Sequence, residues 1–111
     1  FMYKLISSQS IYQYFGYDNP DMITSMINII LETNIQELKE LSSFYEQDDF
    51  ISIKKHLHKA KTSMSYIGAL GTKKMLEQIE LNLETSAKLN IKLQENLKAI
   101  EIELRDFLEK L

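Results

Sequence analysis

The chain has no cysteine and no tryptophan, three glycines and a single proline. Without cysteine there is neither a disulfide framework nor a thiolate metal site, and the redox state of the compartment leaves no mark on the sequence. Scarce glycine and proline leave few places for the tight turns that a sheet of short strands demands, so the composition points to helices and against strands. An excess of charge of one sign is also missing. The formal net charge is −3 and the isoelectric point about 5.4. No segment carries a basic stripe interleaved with aromatics, so nucleic acid is not expected as a ligand. No apolar run approaches the ~18 residues of a membrane span, and no signal-peptide pattern opens the chain. A cytoplasmic location without membrane contact is therefore expected.

What is present is one domain's worth of amphipathic helix. The 111 residues, 44% of them hydrophobic, suffice for a single core and not for a catalytic domain plus a separate binding domain. Residues 1–17 mix aromatics with small polar residues and read as an N-terminal lid: an extended entry, then a short helix ending at Gly16, with Tyr12, Tyr14, Phe15 and Tyr17 packing over the end of the bundle. In "YDNPDMITSM" Asp18 or Asn19 is placed to cap free amides, and Pro20 suits a first helical turn. A second helix is expected from Pro20 to Gln47, with Ile23, Ile27, Ile30, Leu31, Leu38, Leu41 and Tyr45 on its apolar side and Glu32, Gln36, Lys39, Glu40 and Ser43 on the other. "EQDDF" interrupts it, and Asp48 or Asp49 can cap a third helix reaching Ile67, whose Phe50, Ile53, Leu57, Ala60, Met64 and Ile67 form one seam. Gly68 and Gly71 bracket a turn, Thr72 is placed to cap a fourth helix through Leu83, and Asn90 to cap a fifth whose Leu93, Leu97, Ile100, Leu104, Leu108 and Leu111 form another seam. A single long final helix is the alternative. The five methionines fall mostly at seam positions and read as core filling. The expected architecture is all-α: an antiparallel up-down-up-down four-helix bundle over residues 18–111 with the short lid helix ahead of it.

Positions three and four apart share a helix face, so His58 has Lys54, Lys61, Thr62 and Ser65 as neighbours, none of them on the apolar seam. A solvated helix face is the plain account of such residues. The sharper account is chemical. A neutral imidazole nitrogen accepts a phosphoryl group near pH 7, and a lysine one turn on pairs with the charge of about −2 so created. At ~4 Å and an effective dielectric of ~20, each unit of opposite charge is worth about 4 kcal/mol before solvation losses, enough to matter to a labile phosphohistidine. His56, two positions from His58, points elsewhere, so the pair does not chelate a metal. Lys54, Lys55 and Lys59 raise the local positive potential.

His58, Lys61 and Gly68 in "HLHKAKTSMSYIGALG" have the spacing of the histidine-containing phosphotransfer (HPt) domain, and the chain resembles that family. The resemblance covers nearly the whole length: the aromatic entry, the long second helix, the histidine helix, "LGTKKMLEQIELNLE" with Glu80 where the family often has an acid or amide, and an amphipathic last helix. Two positions depart from the usual pattern. Thr62 stands where glycine usually follows the lysine, and Leu57 where alanine usually precedes the histidine.

The resemblance implies a phosphorelay carrier, not an enzyme with its own ATP site. His58 would accept a phosphoryl group from a receiver-domain aspartyl phosphate and pass it to another response regulator, with Lys61 stabilising the charge and Lys54, Thr62, Ser65 and Gly68 contributing the receiver docking surface and its turn. No cofactor is implied for this chain; the Mg²⁺ belongs to the receiver, and the implied partners are response-regulator receivers or a hybrid sensor kinase met by a monomer. Whether the domain stands alone or forms the C-terminal part of a hybrid sensor kinase is left open. The rival expectation is a helical interaction module that is never phosphorylated.

Overall fold

Ser7 opens the first helix by accepting a hydrogen bond from the Ser10 amide (3.2 Å). In the computed structural model, which describes residues 2–111, α1 spans Ser8–Phe15 and ends at Gly16, whose φ of 92° a side chain would resist. α2 (Pro20–Glu32) begins at proline as expected, but Asn19 makes no side-chain cap; its amide donates to Met22 Sδ instead (3.5 Å).

The single helix expected over Pro20–Gln47 is divided into α2, α3 (Asn34–Lys39) and α4 (Leu41–Glu46). At Thr33 the hydroxyl donates back to the Ile29 carbonyl (2.6 Å), a bond that bends helices, and Gln36 Nε2 takes the Leu31 carbonyl (3.0 Å). At Glu40 the backbone tightens into i→i+3 bonds, Glu40 N to Glu37 O and Ser43 N to Glu40 O. Gln94, far along the chain, reaches across to donate to the Leu38 carbonyl (2.9 Å). The apolar register survives both breaks: Ile23, Ile27, Ile30, Leu31, Leu38 and Leu41 are all buried.

α5 (Phe50–Tyr66) carries the expected cap, with Asp49 accepting from the Ser52 amide (3.1 Å) and hydroxyl (2.7 Å). Its seam residues Ile53, Leu57, Ala60, Met64 and Ile67 are buried. Gly68 turns the chain at φ 71°. α6 (Leu70–Leu81) starts two residues before the expected cap, so Gly71 lies inside it and Thr72 is a buried helix residue rather than a cap. A 3₁₀ turn (Leu83–Thr85) precedes α7 (Ala87–Lys110). Asn90 likewise is no cap: it sits within α7, buried, donating to Ser42 Oγ (3.2 Å) and accepting from Gln94 (3.0 Å). Ser86 holds the position before α7, and its hydroxyl shares a 2.6 Å hydrogen bond with Tyr45.

α5 packs between α3 and α4 on one side and α6 on the other, while α7 packs on α6, α2, α3 and α4. The structure is all-helical among the described residues, with no helix long and apolar enough to cross a membrane. Residues 3–7 strap the lid to this core. The buried Glu103 carboxylate accepts from the amides of Lys4, Leu5 and Ile6 (3.0–3.1 Å), Tyr3 donates to Asp106 (2.8 Å), and the Ser7 amide donates to Ile67 O (2.9 Å). Of the lid aromatics, Tyr12 and Phe15 are half-buried while Tyr14 and Tyr17 stay exposed. Among the methionines Met64 is core, but Met2 and Met22 are exposed rather than core filling.

Candidate functional site

α5 displays the constellation because its other side is fully used. Leu57 and Ala60, either side of His58 in sequence, point into the core, which turns His58 to solvent. The Asp49 cap fixes where this helix begins and therefore its rotation. Its carboxyl is held below the ordinary 3.8 by the Ser52 side-chain and backbone hydrogen bonds.

On the exposed stripe Ile51, Lys54, Lys55, His58 and Thr62 follow one another at helical spacing, all of them exposed. Ile51, Lys54, Lys55, His58 and Lys59 border a shallow depression of about 370 Å³. Ile51, an isoleucine 86% exposed at its edge, was not among the residues expected at the site; its spacing of seven from His58 was the available signal. Ser65 is half-buried, its hydroxyl 3.4 Å from the Lys61 carbonyl.

Lys61 is not a solvated lysine. Its ammonium is 2.9 Å from Glu80 Oε2 on α6, and its side chain is 23% exposed against 53% for Lys59. Glu77, Leu81, Lys61 and Glu80 line a cleft of about 180 Å³ between the two helices. Lys59 is engaged on the opposite side, 3.3 Å from Glu37 of α3. His56 is turned away from His58 as expected: Nδ1 lies 2.9 Å from the Ser52 carbonyl, Nε2 lies 4.0 Å from Glu37, and the ring packs on Phe44 at 5.2 Å.

Gly68 stands apart from the His58 stripe. A Cβ there would come within 2.5 Å of Ser7 Cβ and 2.8 Å of Ser10 Oγ, so this glycine seats the lid helix against the α5–α6 turn. Among the described residues no group of three or more His, Cys, Asp or Glu side chains is placed to hold a metal.

The chain has no significant match among family models, curated proteins or solved structures. Its chemistry is therefore read from its own residues: one exposed imidazole, a depression edged by lysines and an isoleucine, and an ammonium one turn on that is shared with a neighbouring carboxylate.

Proposed function

We propose that this domain is a phosphoryl carrier of the HPt kind, an antiparallel four-helix bundle whose segments are α2–α4, α5, α6 and α7, with residues 1–17 as its lid. The observation that carries the reading is His58, exposed on a helix whose opposite face is buried, with Lys61 one turn away. An imidazole nitrogen attacks the phosphorus of a receiver's aspartyl phosphate. The N–P bond forms as the P–O bond to the aspartyl carboxyl breaks, the carboxylate departs with the bonding pair, and the ring's N–H proton goes to solvent. The reverse sequence passes the group to a second receiver. Mg²⁺ and most of the charge stabilisation belong to the receiver. The expected setting is cytoplasmic, with a monomer meeting response regulators or a hybrid sensor kinase.

His58→Gln tests this directly. The variant keeps its melting temperature within a few degrees and takes up no acid-labile phosphate from a phosphorylated receiver. Undiminished label on that variant moves the site elsewhere and overturns the assignment. A second reading, a docking module that is never phosphorylated, is favoured by one observation: the exposed Thr62 side chain beside His58, where the HPt family usually has glycine.

A further inference from the structure

The Lys61–Glu80 contact joins the residue that would stabilise a phosphohistidine to a carboxylate on the next helix. Glu80 Oε2 is shielded from solvent and lies 2.9 Å from the Lys61 ammonium. α5 and α6 are joined by the short turn at Gly68, so residues equally far from Gly68 stand opposite one another. By that count Glu80 is level with His56; Lys61 leans back along α5 while Glu80 leans toward the turn, so the two side chains meet between those levels. Lys61 follows His58 by one helical turn, so a rotation of its side chain carries the ammonium between Glu80 and a group held on His58. Glu77 is the second acid bordering this cleft, and it is exposed.

We infer that Glu80 is a positioning residue that holds the Lys61 ammonium in reserve and competes for it once the phosphoryl group has arrived on His58. This rests on the phosphocarrier reading. A phosphoryl group of charge about −2 attracts the ammonium more strongly than one carboxylate at equal distance. Complete transfer of Lys61, however, strands Glu80 Oε2 without its cation in a shielded position, which costs free energy. The ammonium is therefore shared. Hydrolysis of a phosphohistidine proceeds with the ring protonated, so that neutral imidazole leaves, and a nearby ammonium opposes that protonation. By drawing Lys61 away, Glu80 keeps the phosphohistidine labile and ready to be passed on.

Phosphoramidate serves as a probe that needs no receiver. Its P–N bond breaks as the His58 N–P bond forms, and the ring's N–H proton leaves on ammonium. Wild type, Glu80→Gln, Lys61→Ala and the double variant are labelled, freed of reagent, and followed by ³¹P NMR, with thermal melts alongside. Glu80→Gln lengthens the phosphohistidine lifetime about threefold or more, Lys61→Ala shortens it, and the double variant matches Lys61→Ala, because Glu80 acts only through Lys61. A merely structural role for Glu80 moves the melting temperature and not that pattern. Equal or shorter lifetime in labelled Glu80→Gln overturns this inference alone, as does an effect of Glu80→Gln that persists without Lys61. Absence of acid-labile label on wild type overturns the phosphocarrier reading and this inference with it.

Discussion

Thr62 projects from the same helix face as His58, so under the proposed function its methyl and hydroxyl would border the space through which an aspartyl phosphate approaches. Thr62→Gly opens that space and weakens α5 by only ~0.5 kcal/mol, the difference between two poor helix formers. For an active carrier whose receiver accommodates the side chain, transfer from a panel of receivers stays within a few-fold or falls. Label on the glycine variant and none on wild type identifies the unphosphorylated module instead. Two other glycines give a stability contrast. Gly68 combines φ 71° with a Cβ site 2.5 Å from Ser7 Cβ, so Gly68→Ala adds left-handed strain of ~1–2 kcal/mol to displacement of the lid. Gly71 lies in α6 with nothing within 4 Å of its Cβ site, and Gly71→Ala stabilises by up to ~0.5 kcal/mol. Urea unfolding of the pair checks the opposite signs. The spacing of ten residues from His58 to Gly68 was legible in the sequence. That Gly68 serves the lid was not, because Ser7 and Ser10 meet it only in the folded chain.

At the scale of the helix, local signals were readable where the chain satisfies itself and misleading where another helix does so. Asp49 caps α5 through its own neighbour Ser52, as its place just ahead of the apolar seam predicts. Thr72 and Asn90 carry the side chains of good caps, yet both are buried within helices and bonded to other elements, Thr72 to Asn96 and Asn90 to Ser42. The break at Glu40 leaves no local signal for the same reason, whereas that at Thr33 is made locally by its own hydroxyl on the Ile29 carbonyl. Thr33 has no glycine or proline beside it, and the Leu38 carbonyl near Glu40 is satisfied by Gln94, far along the chain. The Asp49 cap also has a pH signature. Its hydrogen bonds lower the carboxyl below 3.8 in the folded state, so the folded protein binds fewer protons there than the unfolded chain. Its stabilisation is complete well above that value and is lost as pH falls from there through the lowered folded value. The melting-temperature gap between wild type and Asp49→Ala is therefore constant near neutrality and narrows on acidification below about pH 4. A gap that widens in acid contradicts the assigned cap.

At the scale of the whole molecule, one chain of net charge −3 presents several lysines around His58, and their partners decide which are available. Lys59 lies against Glu37 and Lys61 against Glu80, whereas Lys54 and Lys55 are exposed on the rim of the depression with Ile51. On the proposed carrier reading, those two would act at a distance, drawing an acidic receiver surface toward the imidazole before contact. The double reversal Lys54→Glu, Lys55→Glu changes the field by four charges and leaves the seam of α5 untouched. Its effect falls on encounter rather than on the bond-making step. Bimolecular phosphoryl transfer from a receiver at low salt slows about tenfold, and the difference shrinks as added salt shortens the Debye length to ~3 Å near 1 M. Labelling by phosphoramidate, a small donor that needs no docking surface, stays within about twofold of wild type, since the affected step is steered association between proteins. Stopped-flow or quench measurements across a salt series separate the two. A loss of equal size with both donors, unchanged by salt, shows that Lys54 and Lys55 act at the imidazole itself and contradicts a docking role for this rim.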